Sequence, residues 1–171
     1  MKIRLISSAL AVAMIFSMFT SASAIYPENI DPFDPVGTVT YNQLQDIISS
    51  SHTRISNGGD VLIPYNNGSG TTGTSVAYFE ADTEYLYFAL RLKPGEGWTG
   101  STYHIQLYEL NPDGTSTKKG REATYHFGEG PIYQNLEIKH NYFVKISSQT
   151  VDRGGANGEY LYSTEGPVDF D

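Results

Sequence analysis

One stretch constrains the fold of this chain more than any other. Ser75–Leu92 reads SVAYFEADTEYLYFALRL, two apolar runs around the tetrad Ala81-Asp82-Thr83-Glu84. In the second run Leu86, Phe88, Leu90 and Leu92 alternate with Tyr85, Tyr87, Ala89 and Arg91. Successive side chains of a strand point to opposite faces, so the first four residues make a core face. A helix would need its apolar residues along one stripe, and this segment carries strand-favouring aromatics instead. The pattern predicts a β-hairpin that turns at the tetrad, at the centre of a pleated sheet.

Much of the remaining chain has the same grammar. Val61–Tyr65 reads as a short edge strand, because Pro64 cannot donate to a ladder. Ser101–Leu110 alternates Tyr103, Ile105 and Leu107 against His104, Gln106 and Tyr108. Asn111-Pro112-Asp113-Gly114 has the residues of a type I turn, and Thr115–Gly120 reads as a polar, basic tip. Arg121–Gly128, Ile132–Ile138, Asn141–Ser147 and Glu159–Ser163 read as further strands, with Gly128–Pro131 turning the chain between the first two. Near the start, Thr40 and Gln43 have capping-box spacing and Leu44, Ile47 and Ile48 share a stripe. This predicts a short helix, in competition with a strand over Gln45–Ile48. Pro27, Pro32 and Pro35 make the preceding segment an extended arm.

About eight short strands divided by turn signals predict an all-β fold: an antiparallel two-sheet β-sandwich, jelly-roll or immunoglobulin-like, with a short N-terminal helix. The divisions are residues 1–24, a signal peptide; 25–55, an arm with the helix; and 56–171, the sandwich. The chain stops a few residues past Ser163, so either that strand is an edge or a final strand pair is missing.

The leader follows from three features in series: basic Lys2 and Arg4, the apolar run Leu5–Phe19, and the A-x-A pair Ala22 and Ala24. The competing reading is an uncleaved anchor, but the run falls short of the ~20 residues a spanning helix takes. Cleavage after Ala24 places the protein outside the cytoplasm, secreted or at the cell surface, with no membrane segment left. The formal net charge of −8 already repels phosphate backbones, and losing the leader makes the chain more acidic. Nucleic acid is therefore not an expected partner. With no cysteine, disulfides and thiolate metal sites are excluded.

The hairpin and the later strands resemble secreted domains of the DOMON-like superfamily, which includes family 9 carbohydrate-binding modules. The resemblance is carried by Asp82-Thr83-Glu84-Tyr85-Leu86-Tyr87-Phe88-Ala89, by the alternating Tyr103, Ile105 and Leu107, by Tyr142, Val144 and Ile146, and by Leu161-Tyr162. It spans Ser75–Ser163 and implies an exported two-sheet sandwich that binds sugar or haem. Haem-binding relatives use a methionine–histidine pair, and Met1, Met14 and Met18 all lie in the leader, which removes that ligation. Sugar-binding relatives of family 9 clamp their ligand between two tryptophans. Here Trp98 is alone, so a tyrosine would have to be its partner.

A pyranose offers an apolar face to a flat ring and hydroxyls to polar neighbours. Opposite the core face lie Tyr85, Tyr87 and Arg91 on one strand and His104, Gln106 and Tyr108 on another, with Thr124 and His126 joining if the next strand is a neighbour. Together with Trp98 these are the candidate ligand-binding residues. The plain alternative is that tyrosines suit any pleated surface. Trp98 in its glycine-rich loop is equally a ligand platform or a cap on the core. The four histidines, His52, His104, His126 and His140, lack metal-ligand spacing. Asp60, Glu80, Asp82, Glu84 and Asp152 are candidates for a structural calcium, without an EF-hand array. No cofactor and no catalytic motif is visible. The expectation is a non-catalytic, exported carbohydrate-binding module, the alternative a structural or interaction module of the cell envelope with no small ligand.

Overall fold

The structure is a computed structural model, and it describes residues 30–50, 58–63, 73–93, 102–148 and 156–165. The leader, the Trp98 loop and Asp152 lie outside these residues. In chain order the elements are β1 (Gly37–Thr40), α1 (Tyr41–Ser50), β2 (Gly58–Ile63), β3 (Thr74–Glu80), β4 (Leu86–Leu92), β5 (Thr102–Leu110), β6 (Ser116–His126), β7 (Glu129–Tyr133), β8 (Asn141–Ser148) and β9 (Ala156–Ser163). The strands form a five-stranded sheet, order β1-β7-β4-β9-β2, and a four-stranded sheet, order β3-β8-β5-β6, all neighbours antiparallel. The expected all-β two-sheet sandwich with one short helix is what the chain adopts.

The main core lies between the sheets. Leu86, Phe88 and Leu90 of β4 meet Tyr103, Ile105 and Leu107 of β5 and Tyr142, Val144 and Ile146 of β8, all at most 1% exposed. The inward faces read from the sequence are correct on all three strands. A second core covers the other side of the five-stranded sheet, where Val39, Tyr41, Leu44 and Ile47 seal Tyr87 and Ala89. Helix α1 starts at the predicted capping box. The Gln43 amide donates to Thr40 Oγ1 at 3.2 Å, and the Thr40 amide donates to Gln43 Oε1 at 3.0 Å.

The hairpin expected at Ser75–Leu92 does not form. β3 and β4 belong to different sheets, and Ala81–Glu84 carries the chain across the sandwich between them. That crossing is held by the β7–β8 connection: the Ala81 amide donates to the His140 carbonyl at 2.8 Å, the Lys139 amide to the Ala81 carbonyl at 2.7 Å and the Leu136 amide to the Glu84 carbonyl at 3.1 Å. Both strands keep their apolar faces toward the core, and alternation alone cannot distinguish pairing in one sheet from facing across two.

Other assignments shift, among them the last strand, which begins at Ala156 instead of Glu159. The polar tip at Thr115–Gly120 is mostly the first half of β6, an edge strand whose charges suit an exposed ladder. The turn expected at Gly128–Pro131 falls at Phe127–Gly128, and the next strand runs Glu129–Tyr133 instead of Ile132–Ile138. Gly37–Val39, read as extended arm, form β1 with the capping Thr40 and pair with β7.

Burial of α1 on the five-stranded sheet predicts that Leu44→Ala and Tyr87→Ala each destabilise by about 2–5 kcal/mol, read by urea unfolding. Acid should loosen the end of the sandwich near the crossing. Burial pushes the Glu109 carboxyl up, but hydrogen bonds from Lys119, at 2.6 Å, and His140, at 2.5 Å, outweigh it and hold the group below its ordinary value of 4.5. A carboxyl lowered in the folded state stabilises above its unfolded pKa, and that share is lost as pH falls through the folded one. Glu109→Gln should therefore flatten the loss of stability between about pH 6 and pH 3, measured by denaturant unfolding at each pH.

Candidate functional site

The structure divides the residues singled out in the sequence between two faces that point away from each other. Tyr85, Tyr87 and Arg91 lie on the helix side of the five-stranded sheet. Tyr87 is 2% exposed, beneath α1. The Arg91 guanidinium carbon sits 4.1 Å from the centre of the Tyr41 ring, and its Nη2 pairs with Glu159 at 2.8 Å. His104, Gln106 and Tyr108 lie on the outer side of the four-stranded sheet. His104 Nδ1 is 3.1 Å from Glu122, and the buried Gln106 donates to the Lys119 carbonyl at 2.7 Å. Thr124 and His126 do join this side, opposite His104 and Thr102. The single platform expected from β4 and β5 therefore does not exist, because those strands belong to different sheets. Trp98 is outside the described residues.

Of the expected group only Tyr108 enters a ring array on the outer side of the four-stranded sheet. Tyr108 stacks on Phe143 of β8 at 5.2 Å with planes 8° apart, and Phe143 stacks on Tyr78 of β3 at 5.1 Å and 22°. Near-parallel rings at that spacing lie face against face with an offset. Tyr78, on the sheet's edge strand, thus has one face braced by Phe143 and the other turned to the open flank. It is 59% exposed.

Its orientation comes from a backbone irregularity. Val76 pairs with Val144 and Phe79 with Tyr142, so Ala77 and Tyr78 together oppose Phe143. Ala77 takes φ 53°, the left-handed region that non-glycine residues avoid at roughly 1–2 kcal/mol. A β-bulge of this kind re-aims a side chain. Without it, Tyr78 and Phe79 would not reach outward and inward in the register they have.

On this flank a cleft of ≈ 680 Å³ opens between the edges of the two sheets, β2 and β3. Val61 and Val76 form part of its lining, with Leu62 and Tyr78 beside them and Tyr160 and Tyr162 from β9. Leu62, like Tyr78, is exposed. Gly59 makes room for Tyr160, since a Cβ there would stand 3.3 Å from its hydroxyl oxygen. The Tyr162 hydroxyl donates to the Tyr78 carbonyl at 3.4 Å. Burial, followed by the neighbouring Tyr160, raises the pKa of Tyr162, so it remains a neutral donor. Thr74 Oγ1 ties the two edges by donating to the Leu62 carbonyl at 2.6 Å. Asp60, also on the cleft, is paired with Lys93 at 2.5 Å. The lining is more polar than apolar, with tyrosine rings and aliphatic side chains among its polar groups, and its size is that of a small-ligand site. A second cleft, of ≈ 600 Å³, lies under the arm against Ile30, Pro32, Arg121 and Asn135, with no aromatic ring among the described residues that line it.

Among the described residues no group of three or more His, Cys, Asp or Glu is gathered to hold a metal ion. Glu80 pairs instead with Lys139 at 2.9 Å. Sequence reasoning missed Tyr78, Phe143, Tyr160 and Tyr162 as site residues. Tyr78 was masked by its bulge, and Phe143 by being the outward residue of a strand read for its core face.

The bulge makes a test that runs against ordinary strand preference. Ala77→Val should destabilise by about 1–3 kcal/mol, while Ala77→Gly stays within about 1 kcal/mol of the parent, both read by thermal unfolding. A regular strand would reverse that order. No protein-family model, curated protein or solved structure matches this chain, so the reading of the cleft rests on its own residues.

Proposed function

We propose that this protein is an exported, non-catalytic carbohydrate-binding module that receives a sugar ring on Tyr78 at the β2–β3 cleft. One observation carries the reading. A tyrosine 59% exposed is aimed outward by a strained bulge and braced from behind by Phe143. A surface that only needed to be soluble has no use for that strain, whereas a stacking platform gains a rigid ring with little entropy left to lose on binding. The Thr74, Ser75 and Tyr162 hydroxyls and the Asp60 carboxylate supply polar groups along the cleft for a sugar's own hydroxyls. The leader at residues 1–24 supports export, and the resemblance of Ser75–Ser163 to family 9 modules supports a sugar as ligand. Trp98 remains a proposed second platform.

A second reading, an interaction module of the cell envelope, draws on the same flank. Exposed Leu62 and Tyr78 stand on the two neighbouring sheet edges, and edge strands are templates for another chain.

Titration of immobilised polysaccharides with the parent and with Tyr78→Ala decides between them. A sugar module binds a glycan and loses about tenfold in affinity without the Tyr78 ring, the scale of one aromatic stack with its burial. Tyr108→Ala, whose ring is two places removed, should lose much less. An interaction module retains no glycan in either form and elutes as a concentration-dependent oligomer or with an envelope protein.

A further inference from the structure

We infer that the sugar taken by the β2–β3 cleft carries an N-acetyl group, as in a glycan of N-acetylhexosamines, and that its acetamido group is held between the backbone of Asp60 and the hydroxyl of Thr74. The inference rests on the carbohydrate-binding reading above and names the class of sugar. It starts from the ladder between β2 and β9. Leu62 lies opposite Asn157, and the Asn157 carbonyl turns away from β2 to accept from the Lys93 amide at 3.3 Å. The Leu62 carbonyl correspondingly turns away from β9 and accepts from Thr74 Oγ1 at 2.6 Å. In an antiparallel pair this outward setting recurs at every second residue, and the register from Gly58 to Ile63 is unbroken. The N–H and C=O of Asp60 therefore also point away from β9, toward the cleft that Asp60 lines. Among the described residues no backbone group pairs with them there. The contact uses the Asp60 backbone alone, since its carboxylate is engaged by Lys93 at 2.5 Å.

Thr74 supplies the complementary half. Its proton is committed to Leu62, so toward a ligand its oxygen is an acceptor. The cleft thus offers a fixed donor on β2 and a fixed acceptor on β3. A secondary amide answers both at once, because its trans plane sets C=O and N–H in opposite directions. Leu62 and Asp60 stand two residues apart, roughly 7 Å along the strand, about what an amide spans with one hydrogen bond at each end.

The methyl of an acetamido group finds apolar neighbours in Val61 and Val76, which also line the cleft. A plain hydroxyl can answer the donor or the acceptor but brings nothing to cover the valines. A polypeptide strand carries amides too. The Thr74–Leu62 bond ties the two edges together, however, and a strand running through the cleft would have to break it. A single amide on a sugar needs no such passage.

The test compares chitohexaose with cellohexaose, the same chain of sugars with a hydroxyl in place of each acetamido group. Isothermal titration is run on the parent chain and on Thr74→Val, Thr74→Ser, Asp60→Pro and Tyr78→Ala, each checked for folding by circular dichroism. Proline removes the edge N–H and is tolerated on an edge strand where that N–H faces outward. The parent should bind chitohexaose about tenfold more tightly than cellohexaose, the scale of one or two net hydrogen bonds. Thr74→Val and Asp60→Pro should each erase most of that preference, Thr74→Ser should keep it, and Tyr78→Ala should weaken both oligomers. Amide NMR of the parent gives a readout that needs no variant: the Asp60 amide proton should move downfield, as on gaining a hydrogen bond, with chitohexaose and not with cellohexaose. Cellohexaose bound as tightly as chitohexaose or more so, a preference that survives Thr74→Val with the Asp60 amide unmoved, or binding to other glycans only, overturns the inference and leaves the carbohydrate reading standing. Failure of the parent to bind either oligomer or any of the immobilised polysaccharides overturns both.

Discussion

The structure depends on one strand being buried from both sides. Residues 86–90 of β4 are each at most 2% exposed. Leu86, Phe88 and Leu90 fill the space between the sheets, while Tyr87 and Ala89 lie beneath α1. β7 and β9 flank the strand and satisfy its ladder. Burial of this kind belongs to a central strand, and the layers assemble around it. A ten-residue helix has little stability of its own in water, so α1 exists by seating its apolar stripe on β4 and β9. Ala89 is part of that arrangement, since a small residue beside Tyr87 lets the helix approach.

Placing β4 in one sheet and β3 in the other determines where the cleft lies. Had the two paired as a hairpin, the edge of β3 would have been covered. Instead β3 ends its sheet and β2 ends the facing one, and the two edges meet along one flank. The cleft is the space left where the sheets do not close over each other. Its aromatic lining then follows from strand geometry. Tyr160 and Tyr162 are the inward residues of β9, with Tyr160 stacked on Phe88 and the two tyrosines on one another near the opening. Tyr78 is an outward residue of β3 that lines the same opening. The bulge at Ala77 couples the two roles of that edge, keeping Val76 and Phe79 toward the core while turning Tyr78 out.

The polar contacts show a division of labour. Arg91 is spent on Tyr41 and Glu159, beside the helix, and holds structure. Glu109, Lys119 and His140 gather at the end of the sandwich where the chain crosses between sheets. Two of the residues that looked most like ligand contacts in the sequence, Tyr87 and Gln106, are among those the fold itself buries. A polar or aromatic residue opposite a core face is exposed only if nothing else covers that face. Here a helix covers one, and a backbone bulge between β5 and β6 takes up the amide of the other.

The sequence by itself determined which side of each strand is apolar, where the helix begins, and that the chain has no cysteine and no methionine beyond Met18. These are local matters: alternation follows from the pleat, and a capping box closes over three residues. Only the tertiary structure decided which strands pair, that Ser75–Leu92 crosses the sandwich instead of folding back, and that Tyr78 meets Tyr160 and Tyr162 across a cleft. Partner choice depends on contacts between residues far apart in the chain, and an inward-facing residue carries the same mark whether its strand lies beside its neighbour or opposite it.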